Sequence, residues 1–309
     1  MQHVVEMTGL CKWYGEVVGL NNITAVIRDG ITGLLGHNGA GKTTMLSLIT
    51  GQLRPSMGEI TVLGQRPWSN PNLLPRIGYC PEVDAFWRGL TGLGFVTFLA
   101  RANGLPRASA RRAAEEALER AGMAGDMLRR ISEYSRGMRQ RIKIAQALVH
   151  SPEMLVLDEP LAGMDPMGRA DLIALFRQLA QSGVAVIVSS HILHEVEAMT
   201  NNILLIDHGQ LVAEGELHEI SELMEDRTHR VLLRSPEARR LARLLVGREY
   251  VTTLDIQEGE TVTVGTRDPD RLFEELPALL VEHEVACSEI SSPDDSLEAV
   301  FGYLTGQQS

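Results

Sequence analysis

Residues 36 to 43 read Gly36-His37-Asn38-Gly39-Ala40-Gly41-Lys42-Thr43: a glycine, four residues, then glycine, lysine and a hydroxyl side chain. This spacing suits a phosphate cradle. Gly39 and Gly41 let the backbone curl until successive N–H groups face inward, and a helix beginning at Thr43 adds partial positive charge at its N-terminus. Lys42 reaches the outer phosphates, and the Thr43 hydroxyl binds Mg²⁺. The candidate nucleotide contacts here are Gly36, Asn38, Gly39, Ala40, Gly41, Lys42, Thr43 and Thr44. About a hundred residues on, Met154-Leu155-Val156-Leu157-Asp158-Glu159 is a buried strand that delivers two carboxylates at its C-terminal end, where open α/β sheets bind ligands. Asp158 suits Mg²⁺, directly or through water, and Glu159 suits the general base that polarises an attacking water.

These groups need elements to hold them. Ile31 to Leu35 is an apolar run that enters the cradle as a strand, and Thr43 to Thr50 leaves it as a helix stopped by Gly51. Further strands are predicted at Val4 to Met7, Ile23 to Ile27, Ile60 to Leu63, Ile77 to Cys80 and Val184 to Val188. Helices are predicted at about Gly137 to His150 and Pro166 to Gln181. Strand and helix alternate, which implies a mainly parallel sheet covered on both faces. From Thr91 to Glu133 the composition turns to Ala, Arg, Glu and Leu, a helical insertion. Glu216 to Asp226 is polar and helical in pattern. Beyond it come a strand at Arg230 to Leu233, a helix at Pro236 to Val246, strands at Val251 to Ile256 and Thr261 to Gly265, a helix at Pro269 to Val281, a strand at Val285 to Ile290 and a helix at Ser296 to Leu304. That βαββαβ order suits a small ferredoxin-like α+β domain. We therefore expect two domains, 1–226 and 227–309.

Composition narrows the classes. Hydrophobic residues are 44% and charged residues 22% of the 309, a globular profile. The net charge of -11 is set against a nucleic-acid partner. Residues 228–309 hold 8 Lys/Arg and 15 Asp/Glu, so they carry -7 of that total. Cys11, Cys80 and Cys287 are too scattered for a disulfide framework or a zinc site, which suits a reducing compartment. No run approaches the ~18 apolar residues of a membrane span, and the N-terminus lacks a signal-peptide pattern. The expectation is a soluble, cytoplasmic chain whose membrane role, if it has one, comes through another chain.

Three more segments carry a resemblance. Tyr134-Ser135-Arg136-Gly137-Met138-Arg139-Gln140 resembles the ABC signature, Leu161-Ala162-Gly163-Met164-Asp165 resembles the D-loop, and Ser190-His191 after a strand resembles the switch histidine. Alone, Ser135 is an ordinary helix N-cap and His191 an ordinary surface histidine. In this order, over residues 1 to about 225, they resemble the ATP-binding subunit of an ABC transporter. The resemblance implies an ABC cassette with a mixed sheet and a helical subdomain at about 90–135. Its ATPase activity would need ATP and Mg²⁺. In that picture two copies, or a similar cassette, sandwich two ATP molecules, and an integral-membrane permease is driven from its cytoplasmic face. Ser135 and Gly137 would meet the γ-phosphate of the opposite subunit's ATP, and His191 would contact the γ-phosphate. Tyr14, before Gly15, matches the adenine platform, with Trp13 as the alternative. Glu82 stands where the family has the Q-loop glutamine and would reach Mg²⁺. The Pro81-Glu82 variant, the signature form and the acidic segment from Asp294 to Phe301 look most like the ABC-2 class, whose members mostly export. Signature positions 134 and 136 hold tyrosine and arginine where leucine and glycine are commonest. Two other classes compete: an ABC ATPase acting on ribosomes or DNA, which usually has two cassettes or long insertions, and a regulatory module without turnover, which Glu159 and His191 argue against.

Overall fold

A computed structural model of the chain describes residues 3–87, 89–216, 229–256 and 260–291. The chain divides into two compact units, residues 1–217 and 218–309.

In the first unit, β1 (His3–Tyr14) and β2 (Val17–Arg28) form an antiparallel hairpin, and β4 (Met57–Val62) pairs along the other edge of β1. Both hairpin strands run farther than the apolar runs at Val4 to Met7 and Ile23 to Ile27 suggested. Their extension is amphipathic and ends in a two-residue turn with Gly15 at φ 62°. Trp13 and Tyr14 therefore sit at the tip of a strand.

A second sheet has the order β5-β6-β7-β3-β8-β9. Its strands are β3 (Ile31–Leu35), β5 (Ile77–Cys80), β6 (Met154–Asp158), β7 (Ala185–Ser190), β8 (Asn202–Asp207) and β9 (Gln210–Glu216). All pairs are parallel except β8 with β9. Strands β3, β6 and β7 are buried at every position, because helices or the first sheet cover both faces. The period of two divides their side chains between two cores. Leu155, Leu157, Val186 and Val188 face one core, with Phe176 and Ile142; Met154, Val156 and Ile187 face the other, with Leu46 and Leu10. The hairpin of β8 and β9 was not among the predicted strands. Asp207-His208-Gly209-Gln210 is its turn signal, with positive φ at His208 (44°) and Gly209 (75°), the pattern of a type I′ turn.

The helices are α1 (Lys42–Ile49), α2 (Gly92–Ala102), α3 (Arg107–Arg120), α4 (Arg136–Leu148), α5 (Pro166–Gln181) and α6 (Leu193–Glu197). The helical insertion resolves into α2 and α3, followed by a 3-10 turn at Ile131–Glu133. Thr91 caps α2, accepting a hydrogen bond from the Gly94 amide at 3.1 Å. On α3, Ala110, Ala114, Ala117 and Leu118 face inward, while Arg111–Glu115 and Arg112–Glu116 pair on the outer face. No helix among the described residues is long and apolar enough to cross a membrane.

The second unit contains β10 (His229–Arg234), α7 (Ala238–Leu245), β11 (Val251–Ile256), β12 (Thr261–Thr266), α8 (Pro269–Glu282) and β13 (Glu289–Ser291). Its four-stranded sheet has the order β11-β12-β10-β13, and every neighbouring pair is antiparallel. Val231, Leu233, Val262 and Val264 alternate onto the core, where Leu241, Leu245, Leu272 and Leu276 meet them. The last strand is shorter than Val285 to Ile290. Val285 is buried in the core, and pairing begins only where the Ser288 amide reaches the Arg234 carbonyl. The segment expected to be helical after Glu216, the helix expected at Ser296 to Leu304 and the acidic stretch from Asp294 lie outside the described residues.

Candidate functional site

The cradle lies between β3 and α1. Its shape requires glycine at two positions. A Cβ on Gly36 would sit 2.6 Å from the Ile206 carbonyl oxygen, and Gly41, at φ 112°, would bring one to 2.8 Å from the Gly19 oxygen. The turn between β8 and β9 braces the loop from behind, since the Gly209 amide donates to the Ala40 carbonyl at 2.8 Å. Lys42, 6% exposed, folds its ammonium back over the loop. It donates to the Gly36 carbonyl at 2.6 Å and the His37 carbonyl at 3.3 Å.

The parallel register of β6 and β7 beside β3 places the carboxylates against this loop. The Thr43 hydroxyl donates to Asp158 Oδ2 at 2.9 Å. Ser189, at the end of β7, donates to Asp158 Oδ1 at 2.6 Å, and its oxygen accepts the Glu159 amide at 2.9 Å. Glu159 has φ 49°, an uncommon conformation for a side-chain-bearing residue, and it is 7% exposed. Its Oε2 accepts from His191 Nδ1 at 3.0 Å. Its Oε1 lies 3.3 Å from the Lys42 ammonium, an ion pair without hydrogen-bond geometry, so this buried oxygen keeps its hydrogen-bonding capacity. Burial, reinforced by the Asp158 charge, pushes the Tyr79 phenol above its ordinary range, and burial pushes the Cys80 thiol up to about 12.

A cavity of about 430 Å³ opens over these groups, lined by Tyr14, Gly39, Lys42, Thr43, Glu82 and Glu159 among others. Asn38, Gly41, Thr44 and Asp158 also line it, while Ala40 lies buried behind the loop. Tyr14, and not Trp13, reaches the cavity wall; its hydroxyl is 3.4 Å from Thr44 Oγ1, and the Lys12 ammonium lies 5.4 Å from its ring centre. The all-oxygen group of Thr43, Glu82 and Asp158 matches the chemistry of a hard divalent cation.

Ser135 and Gly137 do not line this cavity. They form the first turn of α4, where Ser135 Oγ accepts the Met138 amide at 3.2 Å. The two unusual signature residues have structural places. Tyr134 is 3% exposed, packs against Gly92 and donates its hydroxyl to the Asp126 carbonyl at 2.8 Å. Arg136 lies across Gly163 of the segment that follows Glu159. Ser189 and Lys143 were given no part in the site by sequence. Lys143, 3% exposed, donates to the Glu82 carbonyl at 2.6 Å and pairs with Asp84 at 3.3 Å, while Arg139 donates to Asp84 at 2.9 Å. The signature helix is thereby tied to the loop that carries Glu82.

Fold and site together define a P-loop ATPase cassette. The ABC transporter family profile matches residues 20–162. The chain is 31% identical over 309 residues to the bacitracin transport ATP-binding protein BcrA of Enterococcus faecalis, covering 99% of this chain and 97% of that one. It is 30% identical over 304 residues to the daunorubicin/doxorubicin resistance ATP-binding protein DrrA of Streptomyces peucetius, with 98% and 92% covered. A solved dimeric bacterial ABC transporter cassette superposes with a TM-score of 0.64 at 22% identity, covering 69% of this chain and 98% of that one. The chain belongs to the ABC transporter family, as an ATP-binding, ATP-hydrolysing subunit.

Proposed function

We propose that two copies of this chain close head to tail over two ATP molecules and drive an integral-membrane permease from its cytoplasmic face, in the direction of export. The observation that carries this reading is the interlock at the cavity: Lys42, Glu159 and His191 on one side, Thr43, Asp158 and Ser189 on the other. In it Lys42 exchanges the Gly36 carbonyl for phosphate oxygens, and the amides of residues 38 to 44 and the α1 N-terminus hold the phosphates. Tyr14 stacks on the base. Glu159 Oε1 takes the proton of the attacking water, with His191 fixing the carboxylate from Oε2 and contacting the γ-phosphate. Thr43, Glu82 and Asp158 would hold Mg²⁺, which would neutralise charge on the phosphate oxygens. The solved cassette named as dimeric supports pairing, and so does the exposed first turn of α4, where Ser135 and Gly137 would meet the other copy's nucleotide.

Permease docking is supported by exposed aromatic side chains beside the Glu82 loop. Trp87 and Phe98 are about half exposed, with ring centres 4.6 Å apart, and Lys143 links that loop to α4. Export rests on the two relatives, one named for bacitracin transport and one for drug resistance, and points to an antibiotic-like cargo. We assign the cassette to residues 1–226. Residues 227–309 are assigned to a ferredoxin-like accessory domain, on the strength of the strand order β11-β12-β10-β13. The test is ATPase activity of the purified chain. Lys42→Ala should abolish turnover while leaving the circular-dichroism spectrum of a folded chain, with a lowered melting temperature because Glu159 loses its buried partner. Turnover near wild type would overturn the site.

A further inference from the structure

At the edge of the cavity, which His37 also lines, two histidines converge on one carboxylate. His37 Nε2 lies 2.7 Å and His208 Nδ1 2.9 Å from Asp207 Oδ1. One ligand atom from each of the three residues lies within 4.8 Å of the others, and the two rings stand edge to face with centres 5.1 Å apart. The sequence does not bring them together: His37 is the second residue of the cradle, and Asp207 and His208 lie 170 residues later at the turn between β8 and β9. Pairing of β3 with β8 makes them neighbours.

The other ring nitrogen of His37 decides the chemistry. His37 Nδ1 is 2.7 Å from the Asn38 carbonyl oxygen, which only accepts, so Nδ1 carries a hydrogen. In the neutral ring, Nε2 then presents a lone pair to Asp207 Oδ1, itself an acceptor, at 2.7 Å. Two acceptors at that separation call for a positive charge, supplied either by a second proton on the ring or by a metal ion in its place. An imidazole whose far N–H is held by a backbone carbonyl is also the arrangement that orients histidine for metal. Two imidazole nitrogens and a carboxylate suit a borderline divalent ion such as Zn²⁺, and not the hard Mg²⁺ that an all-oxygen set takes. Ligands about 2.0–2.1 Å from a tetrahedral Zn²⁺ stand roughly 3.3 Å apart, so the two N–O edges need open by only about half an ångström. The side chains of His37 and His208 are 44% and 71% exposed, which leaves ion and solvent ligands a path.

We propose that His37, Asp207 and His208 form a binding site for a transition-metal ion of the Zn²⁺ class, separate from the magnesium position, that ties the cradle to the β8–β9 turn. The test uses the full-length, nucleotide-free chain, stripped with a chelator and titrated with Co²⁺, so it does not depend on the ATPase reading. One equivalent of Co²⁺ should produce visible absorption bands of a low-symmetry site, and Zn²⁺ should displace them and raise the melting temperature. His208→Asn keeps a residue that tolerates positive φ, and should weaken Co²⁺ binding by at least about 10-fold, the lower edge of what even outer-sphere changes cost. Its circular-dichroism spectrum should not change. Absence of the bands at one equivalent, or equal affinity in wild type and His208→Asn, would overturn the site.

Discussion

In the proposed function two helix N-termini of the first unit serve the nucleotide, and they are built in opposite ways. At α1, Lys42 is buried, its ammonium is spent on two carbonyls and a carboxylate, and Thr43 is bonded to Asp158. At α4, Ser135 and Arg136 are exposed and the cap bond is local. Both ends offer backbone N–H groups and the positive end of a helix dipole to an anion. The first lines a cavity formed within one chain; the second does not line that cavity. Burying Lys42, Asp158 and Glu159 is costly unless each is paired, and the pairings found are those a phosphate, a cation and a water would replace. The difference fits the proposed pairing, in which the α1 end is prepared for ligand within one chain and the α4 end would be a half-site completed by a second.

The largest expected effect separates chemistry from binding at the α1 end. Glu159→Gln keeps the shape but cannot take a proton, so kcat should fall about 10²–10⁴-fold. ATP affinity, measured with a fluorescent analogue, should hold. The ATP-bound pair should then accumulate in light scattering. A Gln variant with near-normal kcat would remove Glu159 from the role of base. Next is Ser189→Ala. Its hydroxyl is wholly buried, donates to Asp158 and accepts from the Glu159 amide, so its loss strands a donor and an acceptor. Chemical unfolding should show the first unit weakened by about 1–3 kcal/mol, with a drop in kcat smaller than that of Glu159→Gln. An unchanged midpoint would mean that water replaces the hydroxyl without cost. The smallest effect is expected from truncation after Asp226. Nucleotide affinity should survive, since every residue of the interlock lies before that point, while ATPase activity should depend more steeply on protein concentration. An unchanged concentration dependence would show that residues 227–309 take no part in pairing.

The α1 end was legible in the sequence because it is local. The cradle, the entering strand and the Asp158-Glu159 pair are contiguous motifs whose geometry follows from strand, turn and helix. Ser189 and Lys143 were not legible, because sheet order and helix packing place them. Ser189 reads as the point where the apolar run of β7 stops, yet the strand continues through Ser190, and its register beside β6 sets Ser189 opposite Asp158. Lys143 reads as one charge on an amphipathic helix; only the packing of α4 near β5 shows that it holds the Glu82 loop. The turn at Asp207-His208-Gly209-Gln210 carried a hairpin signal, but nothing in the sequence says that β8 lies next to β3 and so brings His37 to Asp207. Tyr134, an oddity as a signature residue, is accounted for by a space that Gly92 leaves open.

The most direct measurement of the two-half-site account is a mixing experiment. Lys42→Ala disables the α1 end. Gly137→Asp should disable the α4 end by setting a negative charge toward phosphate, in a position where a first-turn acid favours the helix and where an added Cβ meets only Met164 Sδ at 3.5 Å. Each variant alone should be inactive, because a pair of identical copies has two defective sites. Coexpressed, the mixed pair retains one site with an intact α1 end from one copy and an intact α4 end from the other, and ATPase activity should reappear at a fraction of the wild-type rate. A mixture no more active than either variant alone, with mixed pairs shown to form, would contradict a site shared between two chains.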